Sequence, residues 1–285
     1  MFRILLLATT LIATPALAQS EPVGGYADVN GMKMYYETSG SGDPLIVLHG
    51  AYMNIPTMGD IVPRLAENHT VYALEFQGHG RTEDIDRPLT YPNLADDVAA
   101  FMDAVGLDKA DIFGYSMGSA AGLQLAIRHP EKVEKLVAAS VAYDNSGWQP
   151  AFLDFIPQMV PEMFVGTPME DAWKELAADP DGFRGVVEKL IALEHEPMDW
   201  EEDVKALDIP ILIISGDADV ATLEHSVAMF RLLGGGEMGD MGAPLPESRL
   251  AVLPATSHTA VITQVELLHL LIEPFLKGET PQGMF

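Results

Sequence analysis

One serine in the sequence has the neighbours of a catalytic nucleophile. Ser116 is the centre of Gly114-Tyr115-Ser116-Met117-Gly118, which lies between the apolar run 110–113 and a predicted helix rich in Gly and Ala. A serine on a sharp strand-to-helix turn is forced towards positive φ, and larger side chains two residues away would clash with the strand and the helix. Its hydroxyl lies over the helix N-terminus, where N–H groups favour developing negative charge. The motif predicts a serine nucleophile.

A nucleophilic serine needs a base, and the base needs a carboxylate that orients it. The apolar run 209–215 leads into Gly216-Asp217-Ala218-Asp219, and the run 250–253 is followed by Pro254-Ala255-Thr256-Ser257 and then His258. Both groups come just after predicted strands, at the sheet edge where open α/β proteins build their sites. Side chains alternate along such a turn, so only one of its two aspartates can face the imidazole.

Two further histidines are alternative bases. His79 lies in the loop after the fourth predicted strand, and His225 opens a helix after Asp219, so structural roles are favoured for both. The acidic turn and the histidines lack the His-x-x-x-His or clustered carboxylate spacing of metal sites. The sequence therefore predicts neither a metal nor a cofactor.

The elements that must position these residues alternate along the chain. Segments 25–29 and 32–38 flank Asn30-Gly31, a dipeptide that favours the tight turn of an antiparallel hairpin. Helical periodicity is present over 91–105 and over 116–129. Strands that alternate with helices require right-handed crossovers and a mainly parallel sheet. Buried strands are predicted at six apolar runs, 44–48, 71–76, 110–113, 133–138, 209–215 and 250–253.

Residues 141–208 break this alternation, because they contain several prolines and no strand-like run. The amphipathic stretches 173–177 and 183–193 predict an all-helical insertion that caps the site. Its Met and aromatic side chains suit either internal packing or a pliable apolar pocket. Segment 234–248 is longer than compact domains need, so it is predicted to be mobile or functional. The side chains predicted to contact the substrate are Tyr52, Trp148, Phe152 and Trp173.

Composition excludes several classes of protein. A chain of 285 residues with 48% hydrophobic residues is long enough for one large α/β domain with an insertion. The formal charge of −26 repels phosphate backbones and anionic membrane surfaces, so nucleic-acid binding is excluded. Cysteine is absent, which removes disulfides, thiol catalysis and thiolate metal sites.

The first eighteen residues are predicted to be a secretory signal peptide. Met1-Phe2-Arg3 is a basic start, residues 4–13 are apolar, and Ala16-Leu17-Ala18 forms a small-residue cleavage site before Gln19. The apolar run is too short to span a bilayer, so no stable membrane insertion is expected. The mature protein is predicted to be exported, to the periplasm or the extracellular space.

Taken in chain order, the nucleophile, acid and base follow the order of the α/β-hydrolases. The chain after the leader resembles the α/β-hydrolase superfamily almost throughout. The resemblance implies an eight-stranded, mostly parallel sheet flanked by helices, with a core of 19–140 and 209–285 and a cap of 141–208. It also selects Asp219 as the acid. The segments that carry the resemblance are the hairpin start, His49-Gly50, Gln77-Gly78-His79-Gly80-Arg81, the nucleophile elbow (residues 114–118), Gly216-x-x-Asp219 and His258.

The oxyanion hole is expected to use backbone donors on both sides of the nucleophile. One is the N–H of Met117, and the resemblance implies Ala51 as the other, although Tyr52 is close enough in sequence to compete. His49 is expected to brace this loop through its ring while the backbone acts on the substrate.

These residues predict a serine hydrolase that cleaves small to medium carboxylic esters through an acyl-enzyme. A serine at the elbow argues against the epoxide hydrolysis and dehalogenation found in this superfamily, which use a carboxylate there. The alternatives are a C–C bond hydrolase, a lyase or a perhydrolase on the same triad, and a low-turnover ligand-binding receptor. The partner is a small ester, and the sequence leaves the oligomeric state open.

Overall fold

An eight-stranded sheet forms the centre of the molecule in the computed structural model, which describes residues 21–239 and 245–280. The strands are β1 (Val23–Val29), β2 (Met32–Gly40), β3 (Asp43–Leu48), β4 (His69–Leu74), β5 (Ala110–Tyr115), β6 (Val133–Ala139), β7 (Ile211–Ala218) and β8 (Arg249–Ser257). Their order across the sheet is β1-β2-β4-β3-β5-β6-β7-β8. The pairs β1–β2 and β2–β4 are antiparallel, and the other neighbours are parallel. Each predicted apolar run overlaps one of the last six strands, although the run 71–76 ends two residues after β4 and the run 209–215 starts two residues before β7.

Helices cover both faces of this sheet. They are α1 (Ile61–Leu65), α2 (Tyr91–Val105), α3 (Met117–Arg128), α4 (Pro150–Phe155), α5 (Pro168–Lys174), α6 (Phe183–Glu194), α7 (Glu201–Lys205), α8 (Leu223–Leu232) and α9 (Val265–Leu276). Ile46 and Leu48 share one core with α2 and α3, whereas Leu45 and Val47 share the other core with α1 and α9. Successive side chains of a strand point to opposite faces, so a strand buried on both faces is an uninterrupted apolar run.

Local sequence explains where the clearest elements begin and end. Asn30 and Gly31 have φ of 45° and 91°, the positive values that a type I′ turn requires between β1 and β2. The Thr90 hydroxyl accepts a hydrogen bond from the Asn93 N–H and caps α2, which ends at Gly106 with φ 75°. The predicted hairpin and the predicted helix over 91–105 are therefore both present.

Segment 141–208 contains α4 to α7 and short 3₁₀ turns, and none of the named strands falls within its residues. The helix predicted over 183–193 is present as α6. The helix predicted over 173–177 is wrong in its bounds, because α5 starts at Pro168 and ends at Lys174. The ring of Pro168 presets a helical φ for the first turn, a start that the apolar periodicity did not indicate.

Two predicted features fall on parts of the chain that the structure does not describe. The proposed signal peptide, 1–18, lies wholly outside the described residues, and so do residues 240–244 of the long segment 234–248. Among the helices within 21–239 and 245–280, none has the length and hydrophobicity needed to cross a membrane.

Candidate active site

Ser116 lies on a tight turn between β5 and α3. Its φ is 54°, and the helix begins at the next residue, Met117. A Cβ added to Gly114 would collide with the backbone of Gly118, and one added to Gly118 would collide with the carbonyl oxygen of Leu48. The two glycines therefore allow the strand and the helix to approach closely enough to expose the serine hydroxyl.

His258 joins the serine to a carboxylate through both ring nitrogens. Its Nε2 is 3.0 Å from Ser116 Oγ, and its Nδ1 is 2.7 Å from Asp219 Oδ1. Asp219 follows β7 and His258 follows β8, and these parallel strands are neighbours in the sheet. The three residues thus meet at the carboxyl edge of the sheet, with the spacing that proton transfer from serine to imidazole requires.

Several donors hold the buried carboxylate of Asp219. The Ser140 hydroxyl donates to Oδ2 at 2.6 Å, and the Gly216 and Val220 N–H groups donate at 3.2 and 2.7 Å. Burial by itself raises the pKa of this carboxyl, but the hydrogen bonds from His258 and Ser140 hold the pKa below its ordinary value. Asp219 is therefore ionised at neutral pH and able to fix the tautomer of His258.

Asp217 faces away from the imidazole. It lies on β7, and its two carboxylate oxygens accept the N–H groups of Ala255 and Thr256 at 2.8 and 3.0 Å. Ala255 has φ 53°, so this pair of hydrogen bonds supports an uncommon backbone conformation shortly before His258. Asp217 braces the end of β8, directly before the base.

The predicted oxyanion donors, Ala51 and Met117, both lie on the wall of the cavity that contains Ser116. Met117 is the first residue of α3, so its N–H has no acceptor within the helix. Tyr52 lies on the same wall, with φ 62°. Beneath this loop the buried His49 Nδ1 lies 2.7 Å from Gly50 O, and its Nε2 accepts the Phe76 N–H at 3.2 Å. This is the bracing arrangement that the sequence predicts.

Three further histidines, His49, His79 and His225, are buried within the fold. Burial lowers the pKa of His49 to about 3 and that of His79 to about 4, so both rings are neutral at physiological pH. The Nδ1 atom of His79 lies 2.9 Å from Gln77 O. His225 Nε2 accepts the Tyr143 N–H at 3.0 Å, and its ring stacks on Tyr143. Neither His79 nor His225 lies on the wall of the cavity that contains Ser116.

A cavity of about 490 Å³ opens above Ser116 and His258. Its volume falls within the range of small-molecule sites. Trp148 and Phe152, both predicted to contact the substrate, lie on its wall together with Tyr52. Segment 141–208 adds Met159, Met163 and Phe164, so the wall opposite the nucleophile is aromatic and rich in methionine.

The expectation for Trp173 is corrected by the structure. The side chain of Trp173 is buried and is not among the described residues on the cavity wall. Its indole N–H donates to Gly78 O at 3.2 Å, and its ring packs against Phe183 at 5.3 Å between centroids. Trp173 joins segment 141–208 to the loop after β4, away from the wall of the cavity above Ser116.

Sequence reasoning missed two residues of the site. Ser140 follows β6 directly, so its place at the carboxyl end of a strand beside β5 and β7 was a usable signal. Glu194 is the last residue of α6 and lies on the cavity wall, a position that no sequence pattern distinguishes. Within the described ranges, no group of three or more His, Cys, Asp or Glu side chains is arranged to hold a metal ion.

Comparison with known proteins defines the class to which this site belongs. Residues 43–189 match the family of the alpha/beta hydrolase fold. The chain therefore belongs to the α/β-hydrolase fold family, which confirms the fold class predicted from the sequence. Relatives and solved structures that cover most of the chain are named as esterases and hydrolases.

The chain is 27% identical over 264 residues to a pimeloyl-[acyl-carrier protein] methyl ester esterase of Neisseria meningitidis serogroup B, covering 81% of this chain and 92% of that protein. The structure is similar to carboxylesterase CesB from Bacillus subtilis, with a TM-score of 0.68, 17% identity and coverage of 92% and 93% of the two chains. It is also similar to 2-hydroxy-6-oxo-6-phenylhexa-2,4-dienoate hydrolase from Rhodococcus sp. strain RHA1, with a TM-score of 0.69, 21% identity and coverage of 90% and 99%. Some other curated relatives match only in part, and the chain spans 36% of the length of one and 38% of another.

Proposed function

We propose that the protein is a serine hydrolase of small to medium carboxylic esters, with Ser116 as nucleophile, His258 as base and Asp219 as the orienting acid. The observation that carries this proposal is the continuous hydrogen-bonded chain from Ser116 Oγ through both nitrogens of His258 to Asp219, at 3.0 and 2.7 Å. The naming of a relative matched over 92% of its length as a methyl ester esterase supports the same class of reaction.

In the proposed mechanism, His258 Nε2 takes the proton of Ser116 as Oγ attacks the ester carbonyl carbon. The N–H groups of Met117 and Ala51 stabilise the oxyanion that develops, since both lie on the cavity wall beside the nucleophile. The imidazolium then gives its proton to the leaving alcohol. Water attacks the acyl-enzyme with His258 again as base, which releases the acid and restores Ser116.

Segment 141–208 acts in this proposal as a cap over the reaction. Its aromatic and methionine side chains form an apolar wall opposite Ser116. Such a wall excludes water and strengthens the electrostatic interactions within the site. A cavity of about 490 Å³ suits an ester of short or medium length better than a long-chain lipid.

The principal alternative is a C–C bond hydrolase that uses the same triad on a substrate with a carboxylate group. The name of the Rhodococcus dienoate hydrolase indicates such an anionic substrate for that protein. The carboxylate of such a substrate needs a buried cationic partner. The described wall of the cavity includes neither lysine nor arginine, and its acidic residue is Glu194. The lining therefore favours esters that carry no negative charge.

The test is steady-state hydrolysis of p-nitrophenyl acetate, butyrate, octanoate and palmitate by the wild type and by Ser116→Ala. We expect sustained turnover that is greatest on the short and medium esters and is abolished in Ser116→Ala. A single burst, or no release of nitrophenol, would identify a binding protein instead. A preference for long-chain triglyceride emulsions would mean that segment 141–208 opens at lipid interfaces.

A further inference from the structure

Glu194 places a carboxyl group in an otherwise apolar part of the cavity. It is the last residue of α6, and the other wall residues from segment 141–208 include Trp148, Phe152 and Phe164. Within the described chain, its carboxyl group has no hydrogen-bond or ion-pair partner. Burial raises the pKa of this carboxyl, against an opposing influence from His258 and His195. A half-buried carboxylate without a partner among apolar side chains is costly, so a cationic group beside it would be stabilised.

A second polar atom near this carboxyl also lacks a partner. The hydroxyl of Tyr52 is buried with no hydrogen bond to the described residues, and Tyr52 lines the same cavity. Burial and the nearby charge of Glu194 both raise the pKa of this phenol. Buried polar groups are almost always hydrogen-bonded in folded proteins, so an unpaired phenol beside an unpaired carboxyl indicates a position that a ligand occupies.

The surroundings identify the chemistry of that ligand. The rings of Tyr52 and Phe164 stack at 4.8 Å, and those of Trp148 and Phe152 lie 5.6 Å apart, edge to face, on the same cavity wall. Aromatic faces attract cations, and cages of aromatic side chains are a known means of recognising quaternary ammonium groups. The carboxylate of Glu194 on the same cavity wall adds direct ion pairing.

We infer that the cavity selects esters carrying a cationic ammonium group, which is held by Glu194 and the neighbouring aromatic rings while Ser116 attacks the ester carbonyl. This inference rests on the proposed function and specifies its substrate class. The formal charge of −26 also favours cationic esters at longer range, because a strongly negative protein attracts cationic substrates. Glu194 acts here as a specificity-determining residue and takes no part in proton transfer.

The test compares butyrylcholine with 3,3-dimethylbutyl butyrate, which replaces the charged nitrogen by carbon and keeps the shape. We expect kcat/KM of the wild type to favour the cation by about tenfold or more. Glu194→Gln should remove most of that preference, mainly by raising KM for butyrylcholine. The matched control is Glu196→Gln, two residues along the chain and absent from the described cavity wall, which should keep the preference.

Two outcomes would overturn the inference while the proposed esterase function stands. One is equal kcat/KM for the two butyrates in the wild type, together with turnover of p-nitrophenyl butyrate. The other is an equal fall in kcat for both butyrates in Glu194→Gln, which would make Glu194 a residue that positions His258. If no ester is turned over, the proposed function fails, and calorimetric binding of tetraethylammonium to Ser116→Ala decides the inference separately. Binding that weakens about tenfold when Glu194→Gln is added supports it, and absence of binding refutes it.

Discussion

At the scale of single residues, the candidate triad depends on how Asp219 is held. Ser140 and two backbone N–H groups occupy positions on the carboxylate that His258 does not use. A carboxylate fixed in this way cannot rotate away from the imidazole, so the ring presents Nε2 to Ser116. Asp217, two residues earlier, directs both oxygens to the backbone at 255 and 256 instead.

This difference predicts opposite results for the two aspartates. Asp219→Asn removes control of the His258 tautomer and stabilisation of the imidazolium, so kcat should fall by about ten-thousandfold, as in a protease triad. Asp217→Asn still offers an oxygen to the backbone N–H groups at the end of β8 and should retain most activity. The measurement is kcat on p-nitrophenyl butyrate, with circular dichroism to establish that both variants fold. An inactive Asp217→Asn beside an active Asp219→Asn would refute the assignment.

At the scale of the elements, β5 carries a carboxyl group whose ionised form is destabilised by burial. Asp111 is buried on this strand, and its Oδ1 has no hydrogen-bond partner among the described residues. Burial is the main cause that raises its pKa from 3.8 to about 6. Because the folded state binds this proton more tightly than the unfolded state, the contribution of Asp111 to stability decreases as pH rises from about 4 to 6.

Asp111→Asn should therefore raise the free energy of unfolding at pH 7, by at most about 3 kcal/mol. The gain should shrink towards pH 4, where the wild-type carboxyl is already protonated in the folded protein. Urea denaturation at pH 4, 5, 6 and 7 measures the difference. Asp60→Asn, which alters an exposed carboxylate before α1, is the control and should show no such pH-dependent gain. A gain that is equal at all four pH values would contradict the role given to burial.

Two of the three tryptophans in segment 141–208, Trp148 and Trp173, lie in different environments. Trp148 lies on the cavity wall, and Trp173 is buried against Gly78 and Phe183. Trp148→Ala should enlarge the cavity and shift the acyl preference of p-nitrophenyl ester hydrolysis towards longer chains. Trp173→Ala should leave that preference unchanged and lower the free energy of unfolding by about 3–5 kcal/mol. The acyl-chain profile and thermal unfolding of both variants test this, and a shifted preference in Trp173→Ala would contradict it.

At the scale of the whole molecule, strong acidity is the dominant property. Forty-two acidic side chains against sixteen basic ones lead to repulsion from nucleic acids and anionic membranes, and to attraction of small cations. A few acidic side chains, such as Asp97 and Asp111, are buried, but most of the side chains packed against the sheet are apolar. The main effect of the excess negative charge is therefore on which molecules and surfaces the protein attracts or repels.

We propose that the chain is exported and begins at Gln19 when mature. The basic start, the apolar run 4–13 and the Ala16-Leu17-Ala18 site together motivate this proposal. Mass spectrometry of the protein purified from its own host should show an N-terminus at Gln19. Replacing Ala18 by Asp should block cleavage and leave the longer chain. Protein recovered with Met1 still present would refute the proposal.

Local sequence was sufficient to predict the parts of this protein that depend on local physics. The glycines at 114 and 118 mark the elbow, because no other residue allows the strand and helix to approach so closely. The apolar runs and helical periodicity predicted the strands and the helix over 91–105, because burial on two faces or on one stripe leaves a pattern in sequence. The parallel sheet followed from their alternation.

Tertiary structure decided what depends on the direction and packing of side chains. Trp148 and Trp173 have the same side chain in the same segment, yet only the positions of α4 to α6 determine which one reaches the cavity. Side-chain alternation alone left open which aspartate faces His258, and the family resemblance selected Asp219. The structure places the Asp219 carboxylate 2.7 Å from His258 Nδ1. Glu194 and Tyr52 line the same cavity only because segment 141–208 folds back over the sheet edge, and no local pattern encodes this proximity of residues 142 positions apart.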